Sequence, residues 1–151
     1  DLLWRPDPGS NSMGWLVWHL LRVEDDHIAD LGGLDQVWAD GWWERFALPY
    51  SSNAGGFGMS PSDVAAFTVT GPELLVAYAD AVWQQTHLIL GGLTDDDYER
   101  IVDTRWDPPV TLGVRLVSVI NDTTQHVGQV GYLRGLRERV KGTDSGWKGY
   151  A

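Results

Sequence analysis

The sequence predicts an all-α domain, and three observations support this prediction. Three long segments repeat apolar residues every three or four positions, which is the spacing of one face of an α-helix. Each segment is bounded by residue types that begin or end helices. Alternation typical of β-strands is nearly absent, with one weak case at positions 65–70. The 151 residues therefore predict a single domain, 1–151, with one core.

The first long helix is predicted between a polar cap and a pair of glycines. Asn11 or Ser12 can cap its free N–H groups, and the glycines at 32–33 end it. A short apolar turn and a long loop rich in Gly, Ser and Pro follow. A brief helical turn is then predicted with Ser60 as its cap and Pro61 in its first position.

The second long helix is predicted to begin at Thr70, with Glu73 closing a capping box, and to end at the glycines 91–92. Thr94 is the predicted cap of another helical turn, in the segment TDDDYERIV, and a loop with two adjacent prolines comes next.

The last helix is predicted from about Leu112 to about Val140 with Thr111 as its cap, followed by a frayed tail over about 141–151. Three helices with wide apolar faces suit a four-helix bundle that lacks one member. We therefore expect a further helix upstream of Asp1, where the chain begins without an initiator Met.

Charge and composition exclude several function classes. The net charge of -10 argues against nucleic acid, because phosphate binding needs clustered Lys and Arg, and against anionic membranes. No apolar run is long enough to span a bilayer. There is no cysteine, so any thiol chemistry requires an external thiol. These features predict a cytoplasmic protein. Most of the nine tryptophans are predicted to lie in the core.

Polar residues interrupt the apolar face of the last helix. Asp122, His126 and Gln129 fall within about 60° of one another on a helical wheel, in the same sector as Val119 and Leu133. A carboxylate in such a stripe is costly unless it is paired or bound to a cation. One interpretation is a structural Asp122–His126 pair in the core. The other is a metal site, because ligands at i and i+4 lie one turn apart on one side of a helix.

A third metal ligand has to come from another helix. The first long helix offers His19, Glu24 and His27, and His19 lies at the rim of its apolar arc, so its position alone leaves its role open. His27 and His87 lack a polar partner like that of Asp122 and His126, and we predict that they are not ligands. Solvated side chains or ion pairs are expected for Arg134 and Arg137.

Two segments resemble a known family. "NSMGWLVWHLLRVED" resembles the second-helix motif of the DinB/YfiT-like metalloenzymes, and "NDTTQHVGQVGYLRGL" resembles their last-helix motif. The last-helix motif of this chain has an acid four residues before a His. In this respect it is similar to the motif of the metal-binding N-terminal domain of mycothiol-dependent maleylpyruvate isomerase. The loops "WRPDPGSNS" and "RWDPPVT" resemble those that precede the two helices.

The resemblance implies a DinB-like four-helix bundle that binds one divalent metal through His19, Asp122 and His126, with the family's first helix missing from this chain. Many members have His or Glu where this chain has Asp122. The metal is left open among zinc, nickel and iron. Gln129 is predicted to bind a ligand or a metal-bound water, or else to pack with its amide bonded to the backbone.

The implied activity is that of a metal-dependent enzyme acting on a small-molecule substrate. A low-molecular-weight thiol such as mycothiol is the expected co-substrate, and the reaction would be a transfer, an isomerisation or a hydrolysis. The alternative is a non-catalytic bundle that binds metal or a ligand as a sensor or interaction module. A metal-free structural bundle and a homodimer also remain open.

Overall fold

Three long helices dominate the computed structural model, which describes residues 1–142. They are α1 (Met13–Gly32), α4 (Glu73–Gly91) and α5 (Leu112–Lys141). Two short helices, α2 (Trp42–Phe46) and α3 (Pro61–Ala65), and a 3-10 turn (Val37–Ala39) lie between α1 and α4. A second 3-10 turn (Asp95–Glu99) and the strands β1 (Ile101–Asp103) and β2 (Val110–Thr111) connect α4 to α5. The all-α class predicted from the sequence is confirmed.

Most helix ends lie where the sequence places them. The Ser12 hydroxyl accepts from the Trp15 N–H, and Gly33 ends α1 with a φ of 63° in the left-handed region that favours glycine. Ser60 forms a capping box with Asp63, and Thr111 caps α5 by accepting from the Val114 N–H. Helix α5 ends at Lys141, within one residue of its predicted end, and the frayed tail that follows stays a prediction. Its positions from 143 onward lie outside the described residues.

One local prediction was wrong, and another was right only in part. Helix α4 begins at Glu73 rather than at Thr70, with Pro72 at the cap position and no side-chain cap. Pro72 has its φ fixed near the helical value and has no N–H to satisfy, so the chain enters the helix there without a hydroxyl cap. The helical turn predicted after Thr94 is present as a 3-10 turn with Thr94 at its cap, but it stops at Glu99. The β-branched residues that follow form β1, which pairs with β2 in an antiparallel two-stranded sheet.

Helix α1 lies between the other two long helices. It packs extensively against both α5 and α4, whereas α4 and α5 contact each other little. An aromatic core forms along one side of α1. Its buried aromatic residues are Trp15, Trp18, Trp38, Trp42, Phe46, Phe67 and Tyr78. The sequence predicted that most of the nine tryptophans lie in the core. Four of them do, whereas Trp43, Trp83 and Trp106 are exposed.

Apolar side chains on α4 and α5 also face away from α1. Val76, Trp83 and Leu88 on α4 are exposed, and so are Ile120 and Val127 on α5. No element among residues 1–142 covers Ile120 or Val127. The expectation of a fourth helix upstream of Asp1 stays a prediction. None of the helices within 1–142 combines the length and apolarity needed to cross a membrane.

Candidate metal centre

The three predicted ligands converge at the interface between α1 and α5. His19, Asp122 and His126 each offer one ligand atom, and these atoms lie within 4.8 Å of one another. The rings of His19 and His126 meet edge to face with centroids 4.9 Å apart. The Nε2 of His126 lies 3.6 Å from the Oδ1 of Asp122. Two ligands on one tetrahedral zinc ion lie about 3.4 Å apart, so a small side-chain adjustment would bring this pair onto one ion.

His19 is held by an aromatic ring and by backbone. Its side chain is buried, and its ring stacks on Trp15 with centroids 4.9 Å apart. Its Nδ1 forms a hydrogen bond with the carbonyl of Gly55 in the loop between α2 and α3. A carbonyl only accepts, so Nδ1 carries the proton and Nε2 keeps its lone pair. This is the arrangement that a histidine ligand needs, because the bond at one nitrogen fixes the tautomer of the other.

The electrostatics at His19 favour the neutral imidazole. Burial lowers its pKa below the ordinary value, the Gly55 carbonyl raises it, and nearby His126 lowers it further. The Asp122 carboxylate opposes this change but does not reverse it. A neutral ring at pH 7 can donate its lone pair to a metal without first losing a proton.

His126 is oriented by the next turn of its own helix. Its Nδ1 lies 2.9 Å from the Oε1 of Gln129. With Nδ1–H donating to that amide oxygen, Nε2 is left facing Asp122 and His19. Gln129 therefore stands where it can fix the ring of His126, and its predicted contact with a ligand or bound water stays a prediction.

The surroundings of the Asp122 carboxylate show whether these residues fit a cation. Its Oδ2 is buried and has no hydrogen-bond partner within residues 1–142. A core pair between Asp122 and His126 would involve only Oδ1 and would leave Oδ2 unsatisfied, at a cost of about 1–3 kcal/mol. A divalent ion would neutralise the carboxylate and use both imidazoles. The donor set of two nitrogens and one carboxylate suits zinc, nickel or ferrous iron.

The other two histidines are not members of this cluster. His27 has its Nδ1 3.7 Å from Asp26, in a cavity that Arg115 and Asp103 also line. His87 is exposed and stacks on Trp83 with centroids 5.2 Å apart. That neither is a ligand stays a prediction.

The remaining polar candidates are engaged elsewhere. Glu24 accepts a hydrogen bond of 2.8 Å from the Thr86 hydroxyl of α4. Arg134 pairs with Glu138 at 3.0 Å, and Arg137 lies 3.3 Å from the Asp1 carboxylate. These two arginines form the ion pairs that the sequence analysis allowed.

The sequence predicted the loop that holds His19 but not its contact with that side chain. Gly56 has a φ of +99°, and a Cβ at this position would lie 2.5 Å from the Nδ1 of His19. The adjacent glycines at 55–56 were the only available signal, because paired glycines often mark a close backbone approach. Because Gly55 lies 36 residues from His19 along the chain, the sequence did not indicate which side chain these glycines approach.

Comparisons with known proteins support the helical fold. The model of the DinB superfamily matches residues 1–130. A solved structure, described as the conserved protein of locus from Enterococcus faecalis, is 34% identical and superposes with a TM-score of 0.82. The alignment covers 88% of this chain and 79% of that one. No match was found among curated proteins.

Proposed function

The chain belongs to the DinB superfamily, and on that premise we propose that it binds a divalent metal and catalyses a reaction of a small molecule. One observation carries the proposal. The neutral, backbone-held His19 and the imidazole of His126 meet a carboxylate whose Oδ2 has no partner in the described part of the chain. A cation held between these three donors would satisfy that oxygen and neutralise the carboxylate.

The donor count supports catalysis rather than a purely structural metal. Three protein ligands leave coordination positions open to water or substrate, whereas structural zinc sites are closed by four protein ligands. A divalent ion bound here would supply Lewis acidity toward a carbonyl and would lower the pKa of a bound water or thiol. The chain has no cysteine, so the proposed thiol co-substrate, of the mycothiol type, comes from solution.

The side chains around the site have separate tasks in this proposal. Gly55 and Trp15 hold His19, Gln129 holds His126, and Asp122 supplies the negative charge. We propose a small-molecule transfer or isomerisation of the kind performed by maleylpyruvate isomerase-like relatives. We further propose that the protein is located in the cytoplasm. A homodimer is also part of the proposal.

A non-catalytic metal-binding module is the second candidate. Beyond the three ligands, the described metal-ligating cluster contains no additional acid or base. An enzyme of this type would then depend on its substrate, or on an external thiol, for the remaining proton transfers. A sensor or interaction module needs no such group.

Metal analysis of variants tests the proposal. Untagged protein is reconstituted with zinc, dialysed and analysed by plasma mass spectrometry. The parent is expected to retain close to one equivalent, whereas His126→Ala and Asp122→Ala should each lose it with unchanged helical circular dichroism. His87→Ala, on the exposed face of α4, serves as the control and should behave like the parent. Retention of stoichiometric, equally tight zinc by the Asp122→Ala, His126→Ala double variant would show that the cluster is not a metal site.

Activity separates the two candidate functions. Parent and His126→Ala proteins are assayed with maleylpyruvate and a low-molecular-weight thiol in the presence of zinc. Turnover by the parent alone supports the enzyme. Stoichiometric metal without turnover on a panel of thiol-dependent reactions favours the binding module.

A further inference from the structure

A second cavity lies at the C-terminal end of α1, and none of the proposed metal ligands lines it. Its volume is about 620 Å³, and its walls come from the last two turns of α1, the segment that follows, β1 with the loop after it, and the first turn of α5. His27 lines the cavity and lies about 12 Å along α1 from His19. A space of this size accommodates a small organic molecule.

The wall formed by β1 and α5 carries one more guanidinium than carboxylates. Asp103 is buried and accepts from Arg105 at 2.9 and 2.8 Å and from Arg115 at 2.8 Å. A guanidinium has five N–H donors and stays protonated at neutral pH. The bonds to Asp103 use only some of these donors, so this wall keeps both a positive charge and free N–H groups.

The opposite wall carries three carboxylates. Asp26 and Asp30 lie one turn apart on α1 and Asp35 follows the helix. Asp26 accepts a hydrogen bond of 2.6 Å from the Gln36 amide, whereas the exposed carboxylates of Asp30 and Asp35 form no hydrogen bond or ion pair within residues 1–142. Burial and the Arg115 guanidinium lower the pKa of His27, so its ring adds no charge at pH 7.

The two walls are close enough to act on each other. Asp103 raises the pKa of Arg105 through its hydrogen bonds, and the Asp30 carboxylate on the other wall adds to this effect. A ligand of a single sign is attracted by one wall and repelled by the other. A ligand with a carboxylate at one end and cationic groups elsewhere matches both walls, and the excess of carboxylates favours a net positive charge.

We propose that this cavity binds a basic amino acid, a zwitterion with one additional cationic group. Its carboxylate accepts from Arg105 and Arg115, and its ammonium groups contact the carboxylates of Asp26, Asp30 and Asp35. The site is separate from the metal centre, and the proposal does not depend on the proposed function.

Three probes that differ by one charged group test this assignment. They are L-lysine, cadaverine, which lacks the carboxylate of lysine, and 6-aminohexanoate, which lacks its α-ammonium. Binding to the full chain is measured by titration calorimetry at about 0.15 M salt, which screens long-range attraction. The protein is treated with a chelator first, so that no probe can bind through a metal. We expect L-lysine to bind at least about tenfold more tightly than either analogue, because each loses a charge-assisted hydrogen bond.

Arg105→Gln separates a built site from general attraction of cations by an acidic surface. Arg105 is largely exposed and Arg115 still pairs with Asp103, so the fold should be kept. We expect L-lysine to bind about tenfold more weakly, because its carboxylate loses a donor, and cadaverine to bind as before or more tightly, because a repelling charge is gone. Arg45→Gln removes the same charge at an exposed position outside the cavity and should change neither affinity.

Three results would overturn the proposal. They are a parent that binds no L-lysine at millimolar concentration, a parent that binds cadaverine as tightly as L-lysine, and an Arg105→Gln variant that binds both probes more tightly. Asp30→Asn, at an exposed position, provides the same decision if Arg105→Gln is poorly folded. It should weaken both L-lysine and cadaverine, and unchanged affinities would contradict the site. Because the protein is free of metal, none of these results bears on the metal centre.

Discussion

Backbone geometry at two glycines determines where the His19 ring lies. The Gly55 carbonyl accepts from Nδ1 of the ring, and Gly56 passes so close that it leaves no room for a side chain. The imidazole is thereby confined between this loop and Trp15. Preorganisation of this kind means that a ligand loses little rotational freedom when a metal binds.

Replacing Gly56 by Ala should disable the site without touching a ligand. The new Cβ would lie 2.5 Å from Nδ1 of His19, so the ring has to move and the Gly55 contact has to break. We expect zinc affinity to fall by about tenfold or more, as for other losses of contacts that orient a metal ligand, measured by competition with a chromophoric chelator.

Gly58→Ala is the matched control for the loop backbone. Gly58 also has a positive φ, of +73°, but a Cβ there meets nothing within 4 Å. Both variants carry the same kind of backbone strain, and only one of them contacts His19. Equal zinc affinities for the two variants would show that the loop does not position the ligand.

Gln129 is a second residue that is expected to affect zinc affinity indirectly, by orienting the ligand His126. Its Oε1 accepts from Nδ1 of His126, so Gln129→Leu frees the ring to rotate or change tautomer. Zinc affinity should drop by about 10–100-fold. Gln125→Leu is the comparison, because the Gln125 amide bonds only to the backbone carbonyl of Asn121. An unchanged affinity in Gln129→Leu would contradict this role.

At the scale of elements, a buried carboxylate joins α1 to the segment that follows it and to α4. Asp25 accepts from the backbone N–H groups of Val37 and Trp38, each at 2.8 Å. It also accepts from the Tyr78 hydroxyl at 2.6 Å and from Arg22 at 3.3 Å. Since Asp25, Arg22 and Tyr78 are all almost fully buried, the polar network is closed to solvent and fixes α4 against α1.

Asp25→Ala should therefore be strongly destabilising. It leaves the Arg22 guanidinium buried without its anion and two backbone N–H groups without an acceptor, for a loss of about 3–5 kcal/mol of unfolding free energy. Urea denaturation followed by circular dichroism measures it. Asp26→Ala, at the neighbouring exposed position, removes a contact with Gln36 and a partly exposed pair with His27, and should cost less than about 1 kcal/mol. Similar losses for the two variants would rule out the network as a stabilising device.

The sequence predicted elements whose signals are local and missed those that depend on distant contacts. Ser12, Ser60 and Thr111 cap helices because a hydroxyl one turn from a free N–H acts within its own segment. The pairing of Asp122 with His126 on one side of α5 also followed from helical periodicity, whereas the place of His19 beside them followed only from the family resemblance. By contrast, Asp25 and Gly56 owe their importance to residues in other segments, and helix spacing contains no information about such contacts.

At the scale of the whole molecule, α1 is the element on which both chemistry and stability depend. One of its faces carries His19 toward α5, and another carries Arg22 and Asp25 into the aromatic core. A metal ion between His19 and the two ligands on α5 would connect the same pair of helices that makes the largest interface. Metal binding and bundle stability should therefore be coupled.

Beyond the metal centre, the cavity around His27 makes the stability of the metal-free molecule sensitive to acid. Burial lowers the pKa of His27 below the ordinary value of 6.5, and the Arg115 guanidinium lowers it further. Carboxylates of Asp26, Asp30 and Asp122 act in the opposite direction without restoring it. The unfolded chain thus binds a proton at this position at a higher pH than the folded chain does.

The sign of the pH effect follows from this difference in proton binding. Stability is fully present above the unfolded pKa of 6.5 and is lost as the pH falls from there toward the lower folded pKa. In chelator-treated protein, urea denaturation at about pH 7.5 and about pH 5.5 should show a smaller acid-induced loss for His27→Gln than for the parent. His87→Gln, at an exposed position on α4, should lose as much as the parent. If His27→Gln and the parent lose equal stability on acidification, the protonation of His27 is not coupled to folding, and the acid sensitivity belongs to other groups such as His19.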